Sequence, residues 1–346
     1  MLKKIDIKAF KCIEEQAFEL QPLTLVTGTN ASGKSTLLQA ILVALAAKPQ
    51  KYLSHLGEVV KPYMPWEEVL CRSSNAREVE IGLITVKGDE LQARISEKGA
   101  GVVYDSGEMP AYEETLFYLA ADRKGPEELV PLNKEICIGQ QGQFAVGYFE
   151  LNKDKPIDNS LLVNQAAAKT LKAQLAWWLS KITGVECEAR TEKVTSTSVR
   201  LSFSMGELGE VSPLNTGAGN SYLLKLLIMC LSAQPGQLLL IENPEIHLHP
   251  CAQSKLGEFF AFLSARGVQL VVETHCEHLI NRVRYEVYQQ RLAAKDVALY
   301  YKAGVHQPFL AMGILASGHF CDQAGERVNF PTGFFDSTLG ELLEMG

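Results

Sequence analysis

The run Gly28, Thr29, Asn30, Ala31, Ser32, Gly33, Lys34, Ser35 and Thr36 fits the spacing GxxxxGK[ST]. It lies between an apolar run at 23–26 (LTLV) and the apolar segment LLQAILVAL. A phosphate-binding loop needs that context, a buried strand before it and a helix after it. Its glycines let the backbone curl so that successive N–H groups point inward at phosphates. The helix beginning near Lys34 adds the positive end of its dipole. In this reading Lys34 brings a full charge to the β- and γ-phosphates of ATP, Ser35 brings a hydroxyl to Mg²⁺, and Thr36 extends the polar cap. A chance glycine-rich turn would lack the two flanking elements.

Two later apolar runs also end in polar groups. Residues 238–242 (LLLIE) describe a central strand whose tip carries Glu242, with Glu245 just beyond the following turn. Glu242 can hold Mg²⁺ directly or through a water, and Glu245 supplies a second acid. Alone, the run reads equally as a buried strand meeting an acidic helix start; the phosphate loop tips the balance towards chemistry. Residues 270–275 (LVVETH) form a third strand ending in Glu273, Thr274 and His275. A histidine at such a tip can reach the γ-phosphate or the attacking water, although a lone histidine at a strand end also serves as a plain turn residue.

These groups need a sheet with helical crossovers to bring them together. Leu2, Ile5, Ile7 and Phe10 predict a first strand and 23–26 a second, followed by a helix over about 35–47. Strand-like pieces follow at 78–86, 91–95 and 116–120. Residues 139–160 read as loop, 161–182 as a helix carrying Trp177 and Trp178, and 185–204 as a polar strand pair. A strongly apolar helix at 221–232, the strand at 238–241, a helix near 252–265 and the strand at 270–272 complete the pattern. That order implies parallel strands joined by helices.

The chain has 346 residues with a formal net charge of −7, so whole-molecule attraction to nucleic acid is not expected and any such contact needs a local patch. Eight scattered cysteines without a CxxC pair, and an N-terminus without an apolar signal core, point to a reducing cytoplasmic setting. The apolar runs are too short and interrupted to span a bilayer, so no membrane role is expected.

With these pieces in view, the chain resembles the ABC-type ATPase heads of the OLD, RecF and SMC-like group, and is more similar still to the bacterial AAA-type ATPases of that group. The resemblance rests on the opening strand and hairpin with Phe10 and Lys11, the phosphate loop, the run IENPEIHLHP at 241–250, and Glu273, Thr274 and His275. The segment NFPTGFFD at 329–336 is similar to a short C-terminal extension of one subfamily. The resemblance implies an α/β fold, an ABC-type P-loop NTPase head with a mostly parallel central sheet. It places the core at 1–47 and 205–346, with the extension over about 320–346, and a mixed α/β insertion at 48–204. It further implies that ATP is sandwiched between two heads, the loop of one meeting a signature segment of the other. That segment matches 215–221, where Gly217 and Gly219 allow close approach and Ser221 binds the γ-phosphate. Read without the resemblance, Asn220 or Ser221 is an ordinary helix cap.

The same resemblance implies a homodimer closed by ATP and Mg²⁺ that regulates a separate nuclease or toxin effector, with anti-phage defence as the setting. No nuclease centre follows the core before Gly346. A RecF-type DNA maintenance clamp and a non-hydrolysing scaffold are the alternatives. The scaffold follows from a departure: ABC heads carry Asp then Glu at the strand tip, whereas this chain has Glu242 then Asn243, and asparagine cannot act as a base. Water activation then falls to Glu245 or Glu242, with slow turnover expected. Arg123 either approaches the nucleotide or the partner head, or pairs with Asp122 at the surface. A zinc site from His247, His249, His275, Cys276 and His278 is disfavoured by their spacing.

Overall fold

The computed structural model describes residues 1–48, 53–331 and 334–335. Strands β1 (Leu2–Phe10) and β2 (Ile13–Glu19) form the opening hairpin, with Lys4 opposite Glu19 and Phe10 opposite Ile13. Then come β3 (Leu23–Gly28), α1 (Ser35–Ala46), α2 (Leu53–Val60) and α3 (Trp66–Val69). Strands β4 (Val79–Thr85), β5 (Glu90–Ser96) and β6 (Gly99–Asp105) follow, then β7 (Leu116–Leu119) and β8 (Leu129–Pro131). Helices α4 (Ala145–Asn152) and α5 (Leu171–Thr183) precede β9 (Glu188–Lys193), β10 (Ser198–Ser204) and β11 (Glu210–Val211). The last part holds α6 (Ala218–Ser232), β12 (Leu238–Glu242), α7 (Pro250–Ser264), β13 (Gln269–Glu273) and α8 (Glu277–Tyr288). It ends in β14 (Val297–Lys302), β15 (Leu310–Ile314) and β16 (Phe320–Cys321).

The central sheet runs β16-β15-β14-β3-β13-β12-β7. Strands β14, β3, β13, β12 and β7 are parallel, and β15 and β16 are antiparallel to their neighbours. Both faces are covered, which is why β3, β12 and β13 are buried at every residue and read as largely apolar runs. Alternate side chains feed two cores. Leu239, Ile241, Leu270 and Val272 pack with α5, α6 and α7, while Leu238, Leu240 and Val271 pack with α1. Behind α1 stands a five-stranded antiparallel sheet, β2-β1-β4-β5-β6, in which β4 alternates buried and half-buried positions and β5 buried and exposed ones.

Residues 48–204 supply β4–β6 to that sheet, β7 to the central one, and α5 to the packing against α6 and α7. Two local expectations change. Residues 139–160 hold α4, hidden in the sequence by Gly147; a Cβ there would lie 2.6 Å from the Pro131 carbonyl oxygen, so the close packing on β8 excludes larger residues. Residues 161–170 are not part of α5, because Thr170 caps that helix by accepting from the Ala173 amide at 3.4 Å. The buried Gln174 side chain then satisfies Val163 and Ala168 main-chain groups in the preceding loop. Among the described residues no helix is long and apolar enough to cross a membrane. Of the C-terminal extension, 332–333 and 336–346 lie outside the described residues; Phe330 and Phe334 pack on Tyr301, and Phe335 on Phe320.

Helices α5, α7 and α8 are tied by a chain of charges. Glu258 meets Lys181 and Arg282 at 2.5 Å, and Glu286 meets Arg282 at 2.6 Å and Arg291 at 2.5 Å. Burial pushes the Glu286 carboxyl up, but the Arg291 and Arg282 guanidiniums outweigh it and hold the group below its ordinary value. A depressed carboxyl stabilises the fold above its unfolded pKa, and that stability is lost as pH falls through its folded pKa. Glu286→Gln should therefore lower the unfolding free energy by roughly 1–2 kcal/mol at pH 7, discounted for the half-exposed Arg291. The gap to the parent should close as pH falls below the usual glutamate range, which denaturant titrations at stepped pH would read.

Candidate nucleotide site

The loop after β3 is shaped by close approach. Gly28 has φ 146°, and a Cβ there would lie 2.0 Å from the Lys302 carbonyl oxygen of β14. Gly33 has φ 97°, and its Cβ would lie 2.2 Å from the Cys12 sulfur. Thr29 anchors the loop to β14 through its amide to Lys302 O (3.1 Å) and its hydroxyl to Ala303 O (2.9 Å). Ser32 Oγ and Lys34 Nζ both donate to Thr29 O, at 2.9 and 2.5 Å, so the loop closes on itself. Lys34 is buried; desolvation lowers its pKa, against the opposing charges of Glu273 and Glu245. No side chain caps α1, which leaves its first turn to an anion.

The acids arrive on neighbouring parallel strands. Glu242 of β12 stands opposite Glu273 of β13, and Glu273 stands opposite Val26 of β3. Glu242 accepts from the Tyr118 hydroxyl at 3.0 Å and from the Ala121 amide at 3.1 Å. Glu245 accepts from the His275 amide at 2.8 Å through Oε1, while its Oε2 is buried without a partner. Glu273 is buried with its Oε2 unpartnered and the Ser35 hydroxyl beside it. Burial, reinforced by the charge of Glu242, pushes its carboxyl up to about 7, against Ser35 and Lys34. Burial likewise raises Glu242 and Glu245. His275 is exposed at the rim, and with Gly28, Thr29, Asn30, Glu277, Tyr301 and Phe334 it lines a cleft of about 460 Å³.

Arg123 is not in a surface pair. It is 6% exposed, and its guanidinium donates to the carbonyls of Asn243, at 3.1 Å, and Glu242. Asp122 accepts instead from Gln141. Burial lowers the Arg123 pKa to about 10, with Glu245 and Glu242 opposing. Asn243 sits at φ 41°, a left-handed position that asparagine tolerates, with Oδ1 buried and unpartnered. Glu273 is the acid for which the sequence reading gives no separate role, although LVVE repeats the form of LLLIE, an apolar run closed by a carboxylate.

The structure thus gathers Lys34, Ser35, Glu242, Glu245, Glu273 and His275 at one sheet edge. Gly217, Gly219 and Ser221 do not line that cleft. Gly217 is the N-cap of α6, with no side-chain cap, so neither Asn220 nor Ser221 plays that part. Gly217 is exposed, whereas a Cβ on Gly219 would meet His247 O at 2.5 Å and Ser221 Oγ is buried without a partner. His249 Nδ1 accepts from the Cys251 amide and His247 stacks on Tyr222. Among the described residues no group of three or more His, Cys, Asp or Glu is arranged to hold a metal ion.

A family model described as "AAA domain, putative AbiEii toxin, Type IV TA system" matches residues 96–281, and a second described as "AAA domain" matches 4–174. The OLD nuclease of Thermus scotoductus is 44% identical over 45 residues, which span 13% of this chain and only 8% of that protein. Among solved structures, an Smc head bound to the C-winged helix domain of ScpA has a TM-score of 0.58 at 12% identity, covering 90% of this chain and 97% of that one. The SMC head domain from Thermotoga maritima gives 0.52 at 12% identity, covering 91% and 99%. The Pyrococcus furiosus Smc head with an extended coiled coil gives 0.59 at 11%, covering 90% and 96%. At these identities the likeness is one of fold. The first family model spans more than half of the 346 residues, and the chain belongs to that AAA-domain family, with a fold like that of the SMC heads.

Proposed function

We propose that this chain binds Mg–ATP between the 28–36 loop and the tips of β12 and β13, pairs with a second copy around it, and hydrolyses it slowly to control a separate effector. The observation that carries the reading is the pair of buried carboxylates, Glu245 and Glu273, each with an unpartnered oxygen, facing the buried Lys34. Unpaired buried charges are costly and mark places where a ligand completes the structure. The same orphan oxygens, with the Ser35 hydroxyl, fit a divalent cation. Mg²⁺ needs only one or two carboxylates when phosphates and waters complete its shell, and when bound it neutralises developing phosphate charge.

The chain's own groups divide the remaining work. Lys34 and the uncapped first turn of α1 orient the β- and γ-phosphates. Glu245, held through Oε1 by the His275 amide, offers its free Oε2 to the proton of an attacking water. Arg123 fixes the turn that carries Glu245 by binding the carbonyls on either side of the Glu242–Asn243 peptide. His275 stands at the rim of the cleft, where it reaches the terminal phosphate. The uncapped N-terminus of α6, with exposed Gly217, is the surface offered to the partner copy's nucleotide.

A nuclease or toxin effector in anti-phage defence is supported by the family description, which names a toxin–antitoxin system, and by the short OLD nuclease match. A second reading, a switch that holds ATP without turnover, is favoured by Asn243, which cannot take a proton where ABC heads carry a base.

Phosphate release and ATP binding by the purified protein test both readings. Lys34→Ala should weaken ATP binding at least about tenfold. Glu245→Gln should keep binding and lose roughly a hundredfold in phosphate release. Parent protein that binds ATP without releasing phosphate would select the switch. For the paired state, Glu245→Gln with Mg–ATP should elute as a dimer in light-scattering chromatography. Gly217→Trp added to it should restore the monomer without loss of ATP binding, because nothing lies within 4 Å of a Cβ at that exposed position. A dimer unaffected by this substitution would rule out the α6 terminus as the contact.

A further inference from the structure

Three acids stand at this end of the sheet, two of them near Lys34, and they are not equivalent. Glu242, the acid at the tip of the LLLIE strand, has both oxygens engaged on the β7 side, by the Tyr118 hydroxyl and the Ala121 amide. The Tyr118 hydroxyl in turn lies 3.4 Å from that of Tyr63. Strand β12 is also one strand removed from the phosphate loop, because β13 pairs with β3 and separates them. Glu245 has one oxygen on the His275 amide and the Arg123 guanidinium nearby. Glu273 alone has the Ser35 hydroxyl beside it; it is 4% exposed, and one of its oxygens has no partner.

We propose that Glu273, rather than Glu242, is the carboxylate that meets the nucleotide's divalent cation beside Ser35. The assignment rests on the Mg–ATP reading above and names which acid of that site carries the metal. The hydroxyl of a GK[ST] loop marks where the cation sits, and Glu273 is the acid beside that hydroxyl. A buried carboxylate oxygen without a donor gains most from a cation, whereas the two Glu242 oxygens each already accept a hydrogen bond that a cation would disturb. Glu242 becomes a positioning residue, which pins the Ala121 end of the Arg123 loop to the tip of β12.

The test uses the full chain and titrates ATP by calorimetry with excess Mg²⁺ and with EDTA. Mn²⁺ electron paramagnetic resonance of the Mn–ATP complex provides a second readout independent of turnover. In the parent, Mg²⁺ should strengthen ATP binding. In Glu273→Gln that gain should shrink roughly tenfold or more, with EDTA affinity retained and the Mn²⁺ spectrum altered. Glu242→Gln should keep the gain and the spectrum. The gain lost in Glu242→Gln and kept in Glu273→Gln, or lost equally in both, overturns the assignment. Should Glu273→Gln fail to fold, Glu273→Asp decides: a gain reduced several-fold supports the role, and an unaltered one overturns it. A parent chain that binds ATP in neither condition removes the nucleotide reading itself, an outcome distinct from a parent that binds with the wrong acid responding.

Discussion

The parallel pairing of β3, β13 and β12 is the constraint on which the rest depends. Parallel neighbours end at the same edge, so the register that sets Glu242 opposite Glu273 and Glu273 opposite Val26 also fixes where the acids meet the loop after Gly28. Ligand sites of open α/β sheets gather at the carboxyl ends of strands for this reason. Burial on both faces holds the register, because sliding β13 by one residue would exchange the side chains facing α1 with those facing α5 and α7. The charges at that edge oppose the burial around them, and the hydrophobic layers supply the stability that lets them remain there.

A second dependency runs through residues 121–127. Arg123 grips the tip of β12 from this loop, and Lys225 of α6 reaches the loop's other side, donating to the Lys124 and Gly125 carbonyls. Burial lowers the Lys225 pKa to about 8, although Glu127 counters the shift. Helix α6 and the turn that carries Glu245 are therefore both tied to this one loop. Displacing either would strain the other, since the buried guanidinium and ammonium have few other acceptors within reach.

How far the sequence foretells this arrangement depends on what each residue touches. Strands β3, β7, β12 and β13 are legible because burial on both faces leaves short, largely apolar runs. Strand β14 is harder to see: VALYYK carries two tyrosines and ends at Lys302, whose amine finds its partner in the Gln307 carbonyl. Helix α8 hides its apolar face of Leu279, Ile280, Val283 and Val287 among the charges of the Glu286 network. The phosphate loop announces itself, because glycines and lysine are chemically required there. The role of Arg123 does not, because its partners are main-chain carbonyls, which leave no mark in any side-chain pattern. The difference between Glu242 and Glu273 is equally silent, since it turns on Tyr118, more than a hundred positions earlier in the chain.

The self-closure of the phosphate loop has one more consequence. With Lys34 donating to the Thr29 carbonyl, the loop already satisfies its own strongest donor. On the proposed reading, nucleotide entry is therefore an exchange of one acceptor for another. A lone inorganic phosphate or chloride must compete with a well-placed carbonyl and can offset little of that loss. A polyphosphate engages the ammonium, the helix end and the Ser35 hydroxyl at once, so the sum favours displacement. On the proposed reading, the loop thus favours a longer phosphate chain over a lone anion.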